Sequence, residues 1–372
     1  MNLKYAVMWN TQNPETTWSG TGYSLYKALD KKCNLDLINT MPSKAEKLIT
    51  SWAQIRAKNG KIYREKNTYN KYLINVQCHK LNKLLKKCAE PLLSIARAYS
   101  DSYYNQYIYM DMNAGCMMNL RKNHPELSKY LPFSETNDKV LEWQFEFQKR
   151  AYSNCKALFT MGEWVRDEII ADTNFPAEKV FVVGSGINID KRNISNSEKR
   201  GNKILFVGKD FYRKGGDITV SAFQLLKKEM PEIELYILGP QNKPIEINQF
   251  PDGIYFLGQQ PFSVVSEYFN KCDIFCMPSR FEAYGIVFAE ALVYGLPCIA
   301  NNAFAMKEFI CDGQNGYLLH DYNVVELKNK MRDLLINKKI KQYVHEHKNE
   351  YINKYSWDTV AEKILTVINS NK

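Results

Sequence analysis

No apolar run in this 372-residue chain reaches the roughly 20 residues that a membrane-spanning helix needs. The opening "MNLKYAVMW" also lacks a long apolar stretch behind a basic head. A soluble, cytoplasmic chain is expected, one that at most touches a membrane at its cytoplasmic face. Histidine is scarce: of the five, His79, His124 and His320 have no partner at metal-ligand spacing, and His345 and His347 sit on a charged tail segment. The Gly-x4-Gly-Lys-Ser/Thr loop is absent, which excludes a P-loop nucleotidase. A dinucleotide fingerprint is also missing: in "WSGTGYSL" the gap from strand to glycine is too long and Leu25 stands at the third glycine position, which argues against a dehydrogenase. There is no zinc-finger spacing, no basic region leading into heptads and no aromatic RNA-binding strand, so nucleic acid is not an expected partner despite the net charge of +10. The nine cysteines are odd in number and scattered, several of them in apolar runs such as "DIFCMPS", and read as reduced core thiols.

What is present is a globular composition, 45% hydrophobic and 24% charged, in a chain longer than the roughly 250 to 300 residues at which one core stops growing. Two α/β domains are expected. "LKYAVMW", "SLYKALDK" and "LDLIN" read as strand, helix and strand. From Lys44 to Ala98 the chain shows helical stretches but few clear strands; then "QYIYMDM", "KALFTM" and "KVFVVGSGI" read as strands, with helices at "DKVLEWQFEFQKRAYSNC" and "EWVRDEIIADT". The polar stretch 188–202 is the expected linker. Beyond it the alternation is cleaner, with strands at "KILFVG", "ELYILG", "IYFLG", "DIFCMP" and "PCIAN" and helices between most of them. The expected domains are 1–190, with a C-terminal helix at 356–372 packing back on it, and 200–355.

Three segments carry candidate chemistry. In "SRFEAYGIVFAEALVYGLP", Glu282 and Glu290 are eight positions apart, so they are not a stacked i, i+4 couple. With a helix starting near Tyr284, the amides of Gly285, Ile286 and Val287 are first-turn donors suited to a phosphate, with Glu282 before them and Glu290 after. The plain alternative is an exposed N-terminal carboxylate and a solvated helix residue. In "LFVGKDFYRKGGD", Lys209, Arg213 and Lys214 crowd a turn between strand and helix, where they would hold a diphosphate or form a solvated basic loop. In "WSGTGYSL", the backbone of Gly20 and Thr21 would meet an anion or serve an ordinary loop.

Taken together, in order and spacing, these segments resemble the family 4 retaining glycosyltransferases of the glycosyl transferases group 1. So do "FLGQQPFSVVSEYFNKCDIFCMPSRFEAYGIVFAEALVYGLPCIA", "DGQNGYLL", "FTMGEWVRDEI" and "VFVVGSGIN". The resemblance covers nearly all of the C-terminal half and parts of the N-terminal one. It implies an α/β, GT-B fold: two facing Rossmann-like domains with parallel sheets and a central cleft, the first for acceptor and the second for a nucleotide-sugar donor (UDP- or GDP-linked). It implies that Lys209 and Lys214 hold the donor diphosphate, with Arg213 a further candidate, that Glu282 contacts the transferred sugar and Glu290 the ribose. It also implies that the backbone from Gly285 to Val287 binds the distal phosphate, and that Gly258, Gln259 and Gln260 border the base. Lys209 stands where the family often has Arg, which keeps the charge and loses the bidentate fork. Tyr284 replaces a common Phe. In "YIYMDMNAG", where the family often has a histidine beside the reacting sugar, this chain offers Asp111, which reads first as a strand-end carboxylate with a structural hydrogen bond.

No Asp-x-Asp stands at a strand end, so neither a metal nor any other cofactor is expected. A phosphorylase or sugar-phosphate synthase on the same scaffold and a non-catalytic nucleotide-binding protein are the competing functions. The segment "HKLNKLLKKCAEPLLSIARAY", with Lys80, Lys83, Lys86 and Lys87, reads first as an amphipathic surface helix. Its alternative is a rest on an anionic membrane beside a lipid-linked acceptor.

Overall fold

The computed structural model describes the chain except residues 53, 54, 59, 60, 65–70, 190, 196–200, 243, 245–250 and 372. It forms two compact units, Met1–Asn188 with Trp357–Lys372, and Ile189–Ser356. The first unit runs β1 (Asn2–Val7), α1 (Thr21–Asp30), β2 (Asn34–Asn39), α2 (Lys44–Trp52), the hairpin β3 (Ile55–Lys58) and β4 (Lys61–Arg64), and α3 (Lys71–Leu85). It continues with β5 (Leu92–Ile95), β6 (Gln106–Met110), α4 (Ala114–Asn123), α5 (Asp138–Ser153), β7 (Cys155–Thr160), α6 (Glu163–Thr173) and β8 (Val180–Val182). Six of these strands pair in parallel in the order β2-β1-β5-β6-β7-β8. A parallel sheet is covered on both faces, so its central strands are apolar throughout; every residue of β5 and β6 is buried.

The segment after Lys44 departs from its sequence reading. Ser43 and Glu46 form a capping box that starts α2: the Glu46 amide donates to Ser43 Oγ at 3.2 Å, and the Ser43 amide donates to Glu46 Oε2 at 2.8 Å. The basic segment 79–99 is not one amphipathic helix. Its first part ends α3, and Pro91, which cannot continue a helix, precedes β5, a strand in the middle of the sheet. Leu92 and Leu93, read from sequence as part of an amphipathic surface helix, are therefore fully buried.

The second unit runs β9 (Lys203–Val207), α7 (Gly216–Lys227), β10 (Glu234–Leu238), β11 (Ile254–Gly258), α8 (Phe262–Lys271), β12 (Ile274–Cys276), α9 (Ile286–Val293), β13 (Cys298–Asn301), β14 (Gly316–Leu319), α10 (Val324–Ile336), α11 (Lys338–Glu346) and α12 (Lys348–Lys354). Its parallel sheet has the order β11-β10-β9-β12-β13-β14. Counted within the unit this is 3-2-1-4-5-6, the doubly wound order in which ligands bind outside the carboxyl ends of strands 1 and 4. Those strands are β9 and β12. The expected linker is only partly loose: the Ser195 amide donates to Asn270 Oδ1 at 2.9 Å and the Ser195 carbonyl receives Lys348 Nζ at 2.7 Å, while residues 190 and 196–200 of that stretch lie outside the described residues. All nine cysteines are free; six are buried, Cys33 and Cys88 half-buried and Cys311 exposed.

A last helix, α13 (Trp357–Ser370), belongs to the first unit. Lys32 pairs with Glu362 at 2.8 Å, and Trp357 Nε1 donates to Asn188 Oδ1 at 2.8 Å. Gly186 leaves room for that indole: a Cβ there would stand 2.4 Å from Trp357 Cγ. Gly186→Ala is expected to push Trp357 aside and destabilise the first unit by about 1–3 kcal/mol, read as a lower melting temperature and faster proteolysis within α13.

Candidate active site

The loop after β9 folds back on the end of β12. Gly215 has φ +76°, and a Cβ there would lie 2.2 Å from the Pro278 carbonyl oxygen, so only glycine lets the two backbones touch. The aliphatic stem of Lys214 covers Gly208, where a Cβ would meet Lys214 Cγ at 2.7 Å. The Arg280 amide donates to the Arg213 carbonyl at 2.8 Å. Its guanidinium grips both oxygens of Asp217, in the first turn of α7, at 2.7 Å each, and also donates to the Tyr212 carbonyl. This bidentate clamp fixes the basic loop against the strand end.

Within that frame Glu282, 5% exposed, accepts three bonds at Oε1: from Lys214 Nζ at 2.5 Å, from Ser279 Oγ at 2.7 Å and from Arg213 at 3.4 Å. Asn301, at the end of β13, donates to the Ser279 carbonyl at 2.7 Å. Burial pushes the Glu282 carboxyl up, but Lys214 and Arg213 together outweigh it and hold the group below the ordinary glutamate value. Burial draws the Lys214 ammonium below the usual lysine value against the pull of Glu282. Lys214 also acts on Glu290, where burial dominates and lifts the carboxyl to about 7. The structure thus brings Arg213, Glu282 and Glu290 around the Lys214 ammonium, with Arg213 committed to Phe281 O (2.9 Å) and Asp210 (3.4 Å) as well. Lys209 stands on the same loop, exposed and with no ion pair among the described residues.

Beside this cluster α9 begins at Ile286, two residues later than the sequence suggests, with Gly285 as its N-cap at φ +91° and no side-chain cap. The first-turn amides of Ile286 and Val287 therefore have no capping side chain. Val287 and its neighbours up to Val293 are buried except Glu290, so neither plain alternative for the two glutamates holds: Glu282 is not exposed and Glu290 is half-buried. The Tyr284 ring packs edge-on against Phe309 at 4.9 Å and is buried there. Gly258, Gln259 and Gln260 lie at the end of β11, with β10 between them and β9; Gln259 is exposed and Gln260 Nε2 donates to the Leu257 carbonyl at 2.6 Å.

The remaining candidates belong to the first unit, where a cavity of about 400 Å³ opens at the carboxyl ends of β1, β5 and β6. The strand order changes direction between β1 and β5, so this is the switch point of the first sheet. Asp111 lines the cavity, its carboxylate receives Trp18 Nε1 at 3.2 Å, and burial raises its pKa. Gly20 caps α1 at φ +81°, against Asn188 and the Glu15 carbonyl, and Thr21 is buried in the first turn; the cavity wall on this side is made instead by Thr17, Trp18 and Gly22. Trp9, Arg97, Met117, Gln144 and Gln148 complete much of the rest. None of these had been singled out from sequence. The available signal was two glutamines four apart on the same buried face of α5 as Leu141 and Phe147, and tryptophans in strand-exit loops. Ser279 and Arg280 were missed too, although both adjoin Glu282 in the chain.

Among the described residues no three His, Cys, Asp or Glu side chains come together to hold a metal, and no helix is long and apolar enough to cross a membrane.

Residues 188–354 match the family described as glycosyl transferases group 1. An uncharacterised glycosyltransferase of Methanocaldococcus jannaschii is 27% identical over 256 residues, which is 66% of this chain and 69% of that protein. A phosphatidyl-myo-inositol mannosyltransferase of Mycobacterium leprae is 25% identical over 194 residues, 50% of this chain and 52% of the relative, so the chain spans from about half to about two thirds of these relatives. Among solved structures, the lipopolysaccharide outer core galactosyltransferase WaaB superposes with a TM-score of 0.67 over 100% of both chains at 14% identity. The two parallel, doubly wound sheets are those of the GT-B fold, and within them residues 188–354 match the group 1 glycosyltransferases.

Proposed function

We propose that this chain moves a hexose from a UDP- or GDP-linked donor to a hydroxyl of a glycan or lipid-linked acceptor, without a metal and with retention at the anomeric carbon. The donor would bind to the second unit and the acceptor to the first. The observation that carries the reading is the Lys214–Glu282–Ser279 cluster at the β9–β12 switch point, beside the uncapped start of α9. As the glycosidic bond breaks, charge grows on the leaving diphosphate, and fixed cations and amides aimed at that charge are the source of rate. Lys214 and the exposed Lys209 supply the cations, and Gly285 to Val287 supply the amides. When the phosphates draw Lys214 away, Glu282 is freed to accept a sugar hydroxyl while Ser279 still holds it. Glu290 then faces the ribose. The phosphorylase alternative uses the same groups, and it would release inorganic phosphate where a transferase releases nucleoside diphosphate.

A lipid-linked acceptor fits a second feature. Leu48, Ile49 and Trp52 on α2 are 60–70% exposed and stand among Lys44 and Lys47, with Lys83 and Lys86 exposed at the end of α3. An apolar patch in basic surroundings suits the surface of an anionic bilayer. Wild-type chain is expected to sediment with phosphatidylglycerol vesicles at low salt, and a Leu48→Ser, Ile49→Ser, Trp52→Ser variant to remain in solution; equal sedimentation would remove this surface from the proposal.

Lys214→Met is expected to lower kcat about 10²- to 10³-fold with a folded-state circular dichroism spectrum unchanged. Glu282→Gln should lose transfer and keep nucleotide binding by calorimetry. Near-normal turnover of Lys214→Met would overturn the phosphate assignment.

Glu290 gives a pH signature. Its folded pKa of about 7 lies above the ordinary 4.5, so the folded chain holds the proton more tightly than the unfolded one. That contribution to stability is complete below pH 4.5, is lost as pH rises to 7, and stays lost above it. Glu290→Gln is therefore expected to be more stable than wild type above pH 7, by up to about 3 kcal/mol, with the gap closing toward pH 4.5 in denaturant titrations. Ribose hydroxyls donate to the ionised carboxylate, so UDP or GDP affinity should rise with pH toward 7 in wild type and stay flat in the variant.

A further inference from the structure

The two oxygens of the Glu282 carboxylate are used unequally. Oε1 accepts from Lys214, Ser279 and Arg213, while Oε2 makes no hydrogen bond among the described residues and is not sealed from solvent. A carboxylate oxygen has about two lone-pair sites, so three donors crowd Oε1 and the other oxygen is left to a ligand.

The three donors differ in how firmly they are held. Lys214 carries its ammonium on a flexible stem, and a phosphate competes for it. Arg213 reaches Oε1 only at 3.4 Å and is shared with the Phe281 carbonyl and Asp210. Ser279 has no such freedom: it is fully buried, its amide donates to the Met277 carbonyl at 2.8 Å, and its carbonyl receives Asn301 Nδ2 at 2.7 Å. Its hydroxyl proton has three acceptors within reach, Glu282 Oε1 at 2.7 Å and the Arg213 and Phe281 carbonyls at 3.1 Å each. The carboxylate is the nearest and the charged one, so it takes the proton. Neither carbonyl depends on it, because Arg213 O receives the Arg280 amide at 2.8 Å and Phe281 O receives the Arg213 guanidinium at 2.9 Å.

We infer that Ser279 is a positioning residue of the transfer: it pins Glu282 Oε1 while Lys214 turns to the donor phosphates, and so keeps Oε2 aimed at a hydroxyl of the ligand. The inference rests on the proposed transferase reading and adds to it the donor that does not leave. A carboxylate held by the lysine alone would follow the ammonium, and rotation about its last side-chain bond, which has only broad minima, would exchange the two oxygens.

Ser279→Ala removes a bond on which only Glu282 depends, so the variant is expected to fold. Release of UDP or GDP from UDP-glucose, UDP-galactose or GDP-mannose, with water or a methyl glycoside as acceptor, supplies the rate. In the full chain kcat should fall about 10- to 100-fold. Donor KM should stay within about twofold, and UDP or GDP affinity by calorimetry should be unchanged. The hydroxyl favours the ionised carboxylate, so its loss raises the Glu282 pKa, and the acid limb of the kcat profile should move to higher pH. Ser279→Thr keeps the hydroxyl and should return both kcat and the acid limb toward wild type. If the added methyl prevents folding, carboxyl-carbon NMR of glutamate-labelled wild type and Ser279→Ala, with Glu282 assigned from Glu282→Gln, reads the same rise without turnover.

Wild-type kcat in Ser279→Ala overturns the inference, as does a lower kcat with the acid limb in place, which is what a structural role alone produces. Loss of nucleotide affinity in step with kcat also overturns it, since Ser279 would then serve the Lys214 loop. A wild type that binds UDP or GDP and releases neither from any of the three sugars sinks the transferase reading itself, and the inference falls with it.

Discussion

An ammonium and a carboxylate buried together at the end of a parallel sheet each lose several kcal/mol of hydration, and their attraction repays it only if the remaining donors and acceptors are satisfied. The Lys214–Glu282 pair sets that condition for the second unit. Ser279 and Arg213 fill the other positions around Glu282 Oε1. Gly208 gives the lysine stem a bed, Gly215 lets its loop touch Pro278, and the Arg280–Asp217 clamp stops that loop from swinging out. Each is intelligible only once the pair is in place. Such a pair contributes little to stability compared with an apolar substitute, so its presence is more economically explained by what its charges do.

The amount of this that could be read from residues alone follows from how local each signal is. The second sheet was legible because apolar runs of four to six residues alternate with helices, and because the glycines and cations of "VGKDFYRKGG" sit within one turn. The Glu282 to Glu290 spacing excluded a stacked pair before any coordinates. That Lys214 pairs with Glu282 was not legible, since the two are 68 positions apart and meet only because β9 and β12 are neighbours across the switch. The same non-locality hid Arg280, whose partner lies in the first turn of α7. In the first unit β5 was lost for a different reason: a four-residue run with three apolar side chains and Ser94, after a proline and behind a lysine-rich helix, fits a helical face as well as a buried strand.

The two units present different chemistry at equivalent places in their sheets. In the second, the switch point holds fixed cations and an uncapped helix start, which suits a ligand whose charge grows during reaction. In the first, tryptophans, methionines and two glutamines line the switch point, and burial raises the Asp111 pKa. Asp111 carries a structural hydrogen bond from Trp18, as its strand-end position suggests, and it also lines the cavity.

One lysine facing two glutamates also explains why those glutamates differ. Lys214 and Ser279 lie within hydrogen-bond reach of Glu282, and that carboxylate stays ionised despite burial. Glu290 feels the same ammonium only through space, and burial wins there. Two carboxyl groups of the same type, eight residues apart, are thereby driven to opposite protonation behaviour by distance to a single cation. A ligand anion that competes for Lys214 perturbs both at once: Glu282 loses its strongest partner and Glu290 loses what little offset its burial.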